Sequence, residues 1–123
     1  MYIKYNQNPC NKRTIDCTVR ALATLLDKDW NSVYIDLCMV GYNLCDMPSS
    51  KVVVNHYLKA NGYRRYIADD GCTVEDFADE HRKGRYLLAT DTHVVPVVDG
   101  GNYIDTWNSG KEIVLYYWKE EDR

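Results

Sequence analysis

Cys17 and His93 are the two side chains whose type and setting suit covalent chemistry. A thiol attacks a carbonyl carbon as the thiolate, and an unperturbed cysteine ionises near about 8.5. Cys17 follows Asp16 and opens a segment in which Val19, Leu22, Ala23 and Leu26 recur at helical steps. That spacing predicts a helix from Cys17 to about Asp27, with Asp16 as its N-cap. At the first helical position the positive end of the backbone dipole favours a thiolate, as does any neighbouring imidazolium. The Cys17 N–H has no partner inside the helix and can face an oxyanion. His93 follows Thr90-Asp91-Thr92 and opens the apolar run Val94-Val95-Pro96-Val97-Val98. A titratable group at the mouth of such a strand can project into a cleft while the strand holds its backbone. Read singly, the thiol is more often a packing residue and the imidazole a surface one; it is as a pair that they suggest chemistry.

The pair needs a third group to orient the imidazole, and the turn Asp99-Gly100-Gly101-Asn102 can supply it by folding the next segment back. A hairpin centred on the two glycines pairs positions that sum to about 201, setting His93 across from Asn108 and Asp105 across from Pro96. Asp105 and Asn108 are therefore both candidates to hold the second ring nitrogen of His93.

The elements that must position these groups can be read along the chain. The first sixteen residues have no period and read as an extended arm or loop. Val33, Leu37 and Val40 mark a second helix from Asp29 or Trp30 to Gly41. The loop 41–49, with Cys45 and Asp46, is the candidate wall of a cleft. Ser49 or Ser50 caps a third helix that Asn61-Gly62 ends. A strand over Tyr63–Ala68 follows, then a short helix from the Thr73 cap to about Arg82. Strands are expected over Arg85–Thr90, His93–Asp99, Tyr103–Trp107 and Ile113–Trp118, with a charged, frayed tail over Lys119–Arg123. His56 and His81 fall on helices among charged neighbours and read as solvated. Helices first and strands last predict an α+β fold, with the helices on one face of an antiparallel sheet.

A chain of 123 residues fits one domain spanning 1–123. Its net charge of −3 gives no basic field for phosphates, which argues against nucleic-acid binding. No apolar run is long enough to span a bilayer, and the N-terminal residues lack a basic-then-apolar leader pattern. A cytoplasmic protein without membrane association is the expectation. Five cysteines, an odd number, fit reduced thiols better than a disulfide scaffold. Without a Cys-x2-Cys or Cys-x2-His pair, no structural metal site is expected.

The segment Asn11-Lys12-Arg13-Thr14-Ile15-Asp16-Cys17, followed by an Ala/Leu-rich helix, resembles the nucleophile motif of papain-fold cysteine peptidases. The nearest likeness is to bacteriocin-processing (double-glycine leader) peptidases and their small bacterial and phage relatives. The later half of that motif, a His before apolar strand residues and an Asp on the next strand, is matched by His93 to Asp105. The likeness covers about residues 7–28 and 85–108. It implies a papain-like fold, a Cys17/His93/Asp105 triad and a thioester acyl-enzyme formed on a peptide or protein substrate, with no cofactor. It also implies that Asn11, standing where the family carries Gln, contributes an oxyanion donor. Thr18 replaces the usual Gly after the Cys, and its side chain would narrow the groove. A thiol-dependent acyltransferase would use the same triad. The second reading is a weak or inactive papain-like module that captures a peptide or protein partner. Eleven tyrosines and three tryptophans suit such a surface as well as they suit a core.

Overall fold

The computed structural model of the chain describes residues 1–121. Helices α1 (Cys17–Leu26), α2 (Trp30–Leu44) and α3 (Lys51–Ala60) come first, after a short strand β1 (Tyr2–Lys4). Then come β2 (Tyr63–Ile67), helix α4 (Val74–Glu80) and the strands β3 (Tyr86–Ala89), β4 (Val94–Val98), β5 (Asn102–Asp105) and β6 (Tyr116–Glu120). The architecture is α+β, and the six strands form one sheet in the order β1-β5-β4-β3-β6-β2.

Two features of the expected sheet are corrected. It is mixed, because β1 runs parallel to β5 with Tyr2 beside Tyr103 and Lys4 beside Asp105. The N-terminal segment carries no period of its own because it borrows its partner from the far end of the chain. Secondly, the helices do not share one face. The α1–α3 face holds Leu22, Leu25, Val53 and Leu58 against Leu87, Ala89, Val98 and Trp118. The other face holds Val74, Phe77 and Ala78 of α4 against Leu88, Val95 and Val97. All four residues of β3 are buried, so this central strand needed apolar cover on both sides.

Local chemistry explains the element ends. Ser50, rather than Ser49, caps α3 by accepting from the N–H groups of Val52 and Val53. Thr73 caps α4 through the Asp76 N–H. Helix α2 passes the expected stop at Gly41 and ends at Cys45, whose φ of 54° is left-handed. Gly41 serves a different purpose: a Cβ there would lie 2.7 Å from the Asp46 carbonyl oxygen. The glycine lets the 46–49 segment fold back onto α2. The β4–β5 ladder pairs Val97 with Tyr103 and Val98 with Asn102, and stops next to Pro96, which has no N–H to offer. His81 is only partly exposed, its ring stacked on Phe77 with centroids 3.8 Å apart. Lys119 and Glu120 of the expected frayed tail belong to β6, whereas Asp122 and Arg123 lie outside the described residues.

Candidate active site

Cys17 is the first residue of α1, and Asp16 occupies the N-cap position. The Asp16 side chain makes no capping bond, contrary to expectation. It accepts instead from Arg20 Nε at 2.8 Å, Trp30 Nε1 at 3.0 Å and Asn8 Nδ2 at 3.2 Å. A buried carboxylate needs charge compensation more than a helix end needs a cap, and a guanidinium one turn along the same helix provides it. Burial works against the Asp16 charge, but the bonds from Arg20, Asn8 and Trp30 outweigh it and hold the pKa below the ordinary carboxylate value. The carboxylate next to the thiol is thus committed to other partners.

Strand β4 brings His93, the residue before its first, to the N-terminal end of α1. Nε2 of His93 is paired with Asp105 Oδ2. The other ring nitrogen, Nδ1, is not engaged by Asp105, and His93 is the side chain that does most to lower the Cys17 pKa. Burial alone would raise the Cys17 pKa, yet it lies below the ordinary thiol value. The His93 hydrogen bond is the largest opposing cause, followed by the Val94 N–H, the imidazolium charge and Thr18. For His93, burial disfavours the cation, but bonds to Asp105 and then Cys17 raise its pKa to about 9. Asp105 is 2% exposed. Its burial opposes ionisation, while His93 and Arg20 keep it ionised and lower its pKa.

The other carboxylate oxygen of Asp105 accepts from Arg20 Nη1 at 2.7 Å and from the Thr106 N–H at 2.7 Å. One guanidinium, itself 7% exposed, therefore ties the residue before Cys17 to the residue that holds His93. Arg20 was not singled out from the sequence. Its signal was a lone charge inside the apolar α1 pattern, four residues after Asp16.

Asn108 does not hold His93. Its side-chain oxygen accepts from the Tyr103 hydroxyl at 3.2 Å and the Gly110 N–H at 2.9 Å, within its own turn. The hairpin register explains this outcome, because paired positions differ by one from the expected offset. Continuing the observed offset sets Trp107 across from His93, and the two rings lie 4.9 Å apart. Asn11 is likewise not brought to the thiol. It is exposed and left-handed, with φ 50°, and its Oδ1 accepts from Asn6 Nδ2 at 3.3 Å. It faces a hollow shared with Lys4, Arg13 and Thr106, which does not include Cys17. The turn that Asn8 ties through the Cys10 and Lys12 N–H groups carries Asn11 away. The donors that remain beside the thiol are the Val94 N–H and the free N–H groups of the first turn of α1.

Cys17, Thr18 and Ser49 line two cavities at once. One, of about 210 Å³, lies toward the sheet and is also lined by Thr90, His93 and Tyr116. The other, of about 420 Å³, is walled by Trp30, Tyr34, Leu37, Met47 and Pro48. The 41–49 segment thus contributes its last three residues to the wall, whereas Cys45 is exposed. A larger hollow of about 540 Å³ near Lys28 and Arg85 lies apart from Cys17, His93 and Asp105. Chemically, a thiol, an imidazole and a carboxylate in this order can move the thiol proton to the ring and keep it there.

Comparison of the chain with protein-family models, curated proteins and solved structures gave no match.

Proposed function

We propose that the protein is a cysteine-nucleophile amide hydrolase, a peptidase on a papain-like fold that works through a thioester acyl-enzyme. The observation that supports this reading is that His93, paired with Asp105, lines the sheet-side cavity together with Cys17 and lowers the pKa of its thiol. In the proposed cycle His93 takes the Cys17 proton and the thiolate attacks an amide carbonyl. The Val94 and α1 N–H groups meet the oxyanion, the role the resemblance assigns to Asn11. His93 then gives its proton to the leaving amine, and water admitted by the same base cleaves the thioester. An amine in place of water would make the same site an acyltransferase.

The test is the pH dependence of Cys17 alkylation by iodoacetamide between pH 5 and 9, read by peptide mass mapping against the other four thiols. Selective reaction of Cys17 at pH 6 is expected, because its thiolate persists below the ordinary thiol range. Reaction of Cys17 no faster than Cys10 or Cys45, both exposed, would sink the activated-nucleophile reading.

The position of Asn11 favours a second reading, in which a papain-like module without a side-chain oxyanion donor holds a peptide rather than turning it over. Removal of one such donor costs about 10²–10³ in rate elsewhere. Cys17→Ser separates the two: an unchanged biological effect supports capture, and its loss supports catalysis.

A further inference from the structure

The two sides of the cleft differ in charge. On the α2 side Asp16 is the charged lining residue, and Arg20 already compensates it. On the sheet side the cavity next to Cys17 carries Lys51 and Asp91 besides the Cys17 and His93 pair itself. It shares Lys51, Tyr116 and Trp118 with a further cavity of about 210 Å³, which adds Arg65, Val52 and Asn55. This outer cavity has two cations and no carboxylate in its lining, in a chain whose net charge is −3. Neither Lys51 nor Arg65 forms a salt bridge among the described residues.

The outer cavity is also ordered from below. Arg65 lies beside Trp118 in the β2–β6 ladder, and its guanidinium rests over the Tyr116 ring, 4.2 Å from the centroid. Trp118 donates to Asn55 at 3.0 Å and packs edge-on against Tyr116. A guanidinium stacked on a ring loses little freedom on meeting a carboxylate, and its outer N–H groups stay free to donate.

We propose that the sheet side of the cleft takes an acidic residue of the peptide substrate, its carboxylate held between Lys51 and Arg65. The inner cavity is charge-balanced, so the acid belongs beyond the residue next to the scissile bond. This inference rests on the peptidase reading for its substrate, but it can be tested without turnover.

The probes are bromoacetyl peptide amides with Glu at the first, second or third position, each matched to a Gln analogue. Their second-order rates of Cys17 alkylation are compared in low salt. The Glu peptide is expected to react about two- to fivefold faster at one position, the factor that partly exposed ion pairs supply. The advantage should vanish in Lys51→Gln/Arg65→Gln, whose substituted side chains are exposed, and shrink in about 0.5 M salt. Equal rates at all three positions would overturn the proposal, as would an advantage that survives the double substitution. Should Cys17 prove no more reactive than the other thiols, the peptidase reading fails on that result alone. The acid preference is then read from amide shifts in Cys17→Ser titrated with acetyl-Gly-Glu-amide against acetyl-Gly-Gln-amide. Tighter binding of the Glu peptide centred on Lys51 and Arg65 supports the proposal, and equal binding overturns it.

Discussion

Arg20 is the residue on which the site's charges converge. It bonds Asp16 at 2.8 Å and Asp105 at 2.7 Å, so its removal would strand two buried carboxylates. Arg20→Met should lower stability by about 3 kcal/mol or more in urea unfolding. Arg20→Lys should recover part of that loss, since one ammonium cannot reproduce a fork that reaches both partners. A second prediction concerns pH. His93 has its pKa raised to about 9, against about 6.5 in an unfolded chain, so its contribution to stability is complete below about pH 6.5 and is lost as pH rises toward 9. Cys17 is shifted the other way: its lowered pKa makes folding more favourable as pH rises toward the unfolded thiol value. The two trends oppose each other in the wild type. Cys17→Ser removes the second, while Asp105, the stronger cause of the His93 shift, remains. The thermal midpoint of Cys17→Ser should therefore fall more steeply than that of the wild type between pH 6.5 and 9. A parallel pair of curves would contradict this assignment of the charges.

Individual elements were legible where local chemistry alone decides them. The Cys17 start of α1, the Ser50 and Thr73 caps and the Gly100-Gly101 turn each follow from side chains within a few positions. The misread features depend on something further away. Gly41 looked like a helix stop and is instead a close-approach point for Asp46. Asp16 looked like a cap and is drawn off by Arg20 and Trp30. Counting from the glycines places the hairpin register one residue off, because glycine positions locate a turn without fixing its offset. Gly101 shows how tightly the true register is held. Its φ is +86°, and a Cβ there would lie 2.5 Å from the Ala78 carbonyl oxygen of α4. Gly101→Ala should cost about 2 kcal/mol or more. Because the same turn sets where Asp105 falls, it should also weaken the selective low-pH alkylation of Cys17.

At the scale of the whole molecule, the chain order of Cys17, His93 and Asp105 could be read from sequence, as could the α+β class. The partner of the first strand could not, since parallel pairing leaves no local mark. That pairing matters to the site. The Tyr5 N–H donates to the Asp105 carbonyl at 2.9 Å, and the Tyr2 hydroxyl donates to the same oxygen at 3.2 Å. Removing residues 1–5 should lower the thermal midpoint and also reduce Cys17 alkylation at pH 6, even at temperatures where the truncated protein stays folded. Unchanged reactivity would show that β1 only covers an edge. The pairing of β1 with β5 also has a consequence in time. During synthesis β1 emerges about a hundred residues before its neighbour β5. His93 and Asp105 arrive with β4 and β5. A nascent chain carries its thiol through the synthesis of α1 to β3 without the base that would activate it. The proposed reactivity is therefore withheld until β4 and β5 have been made.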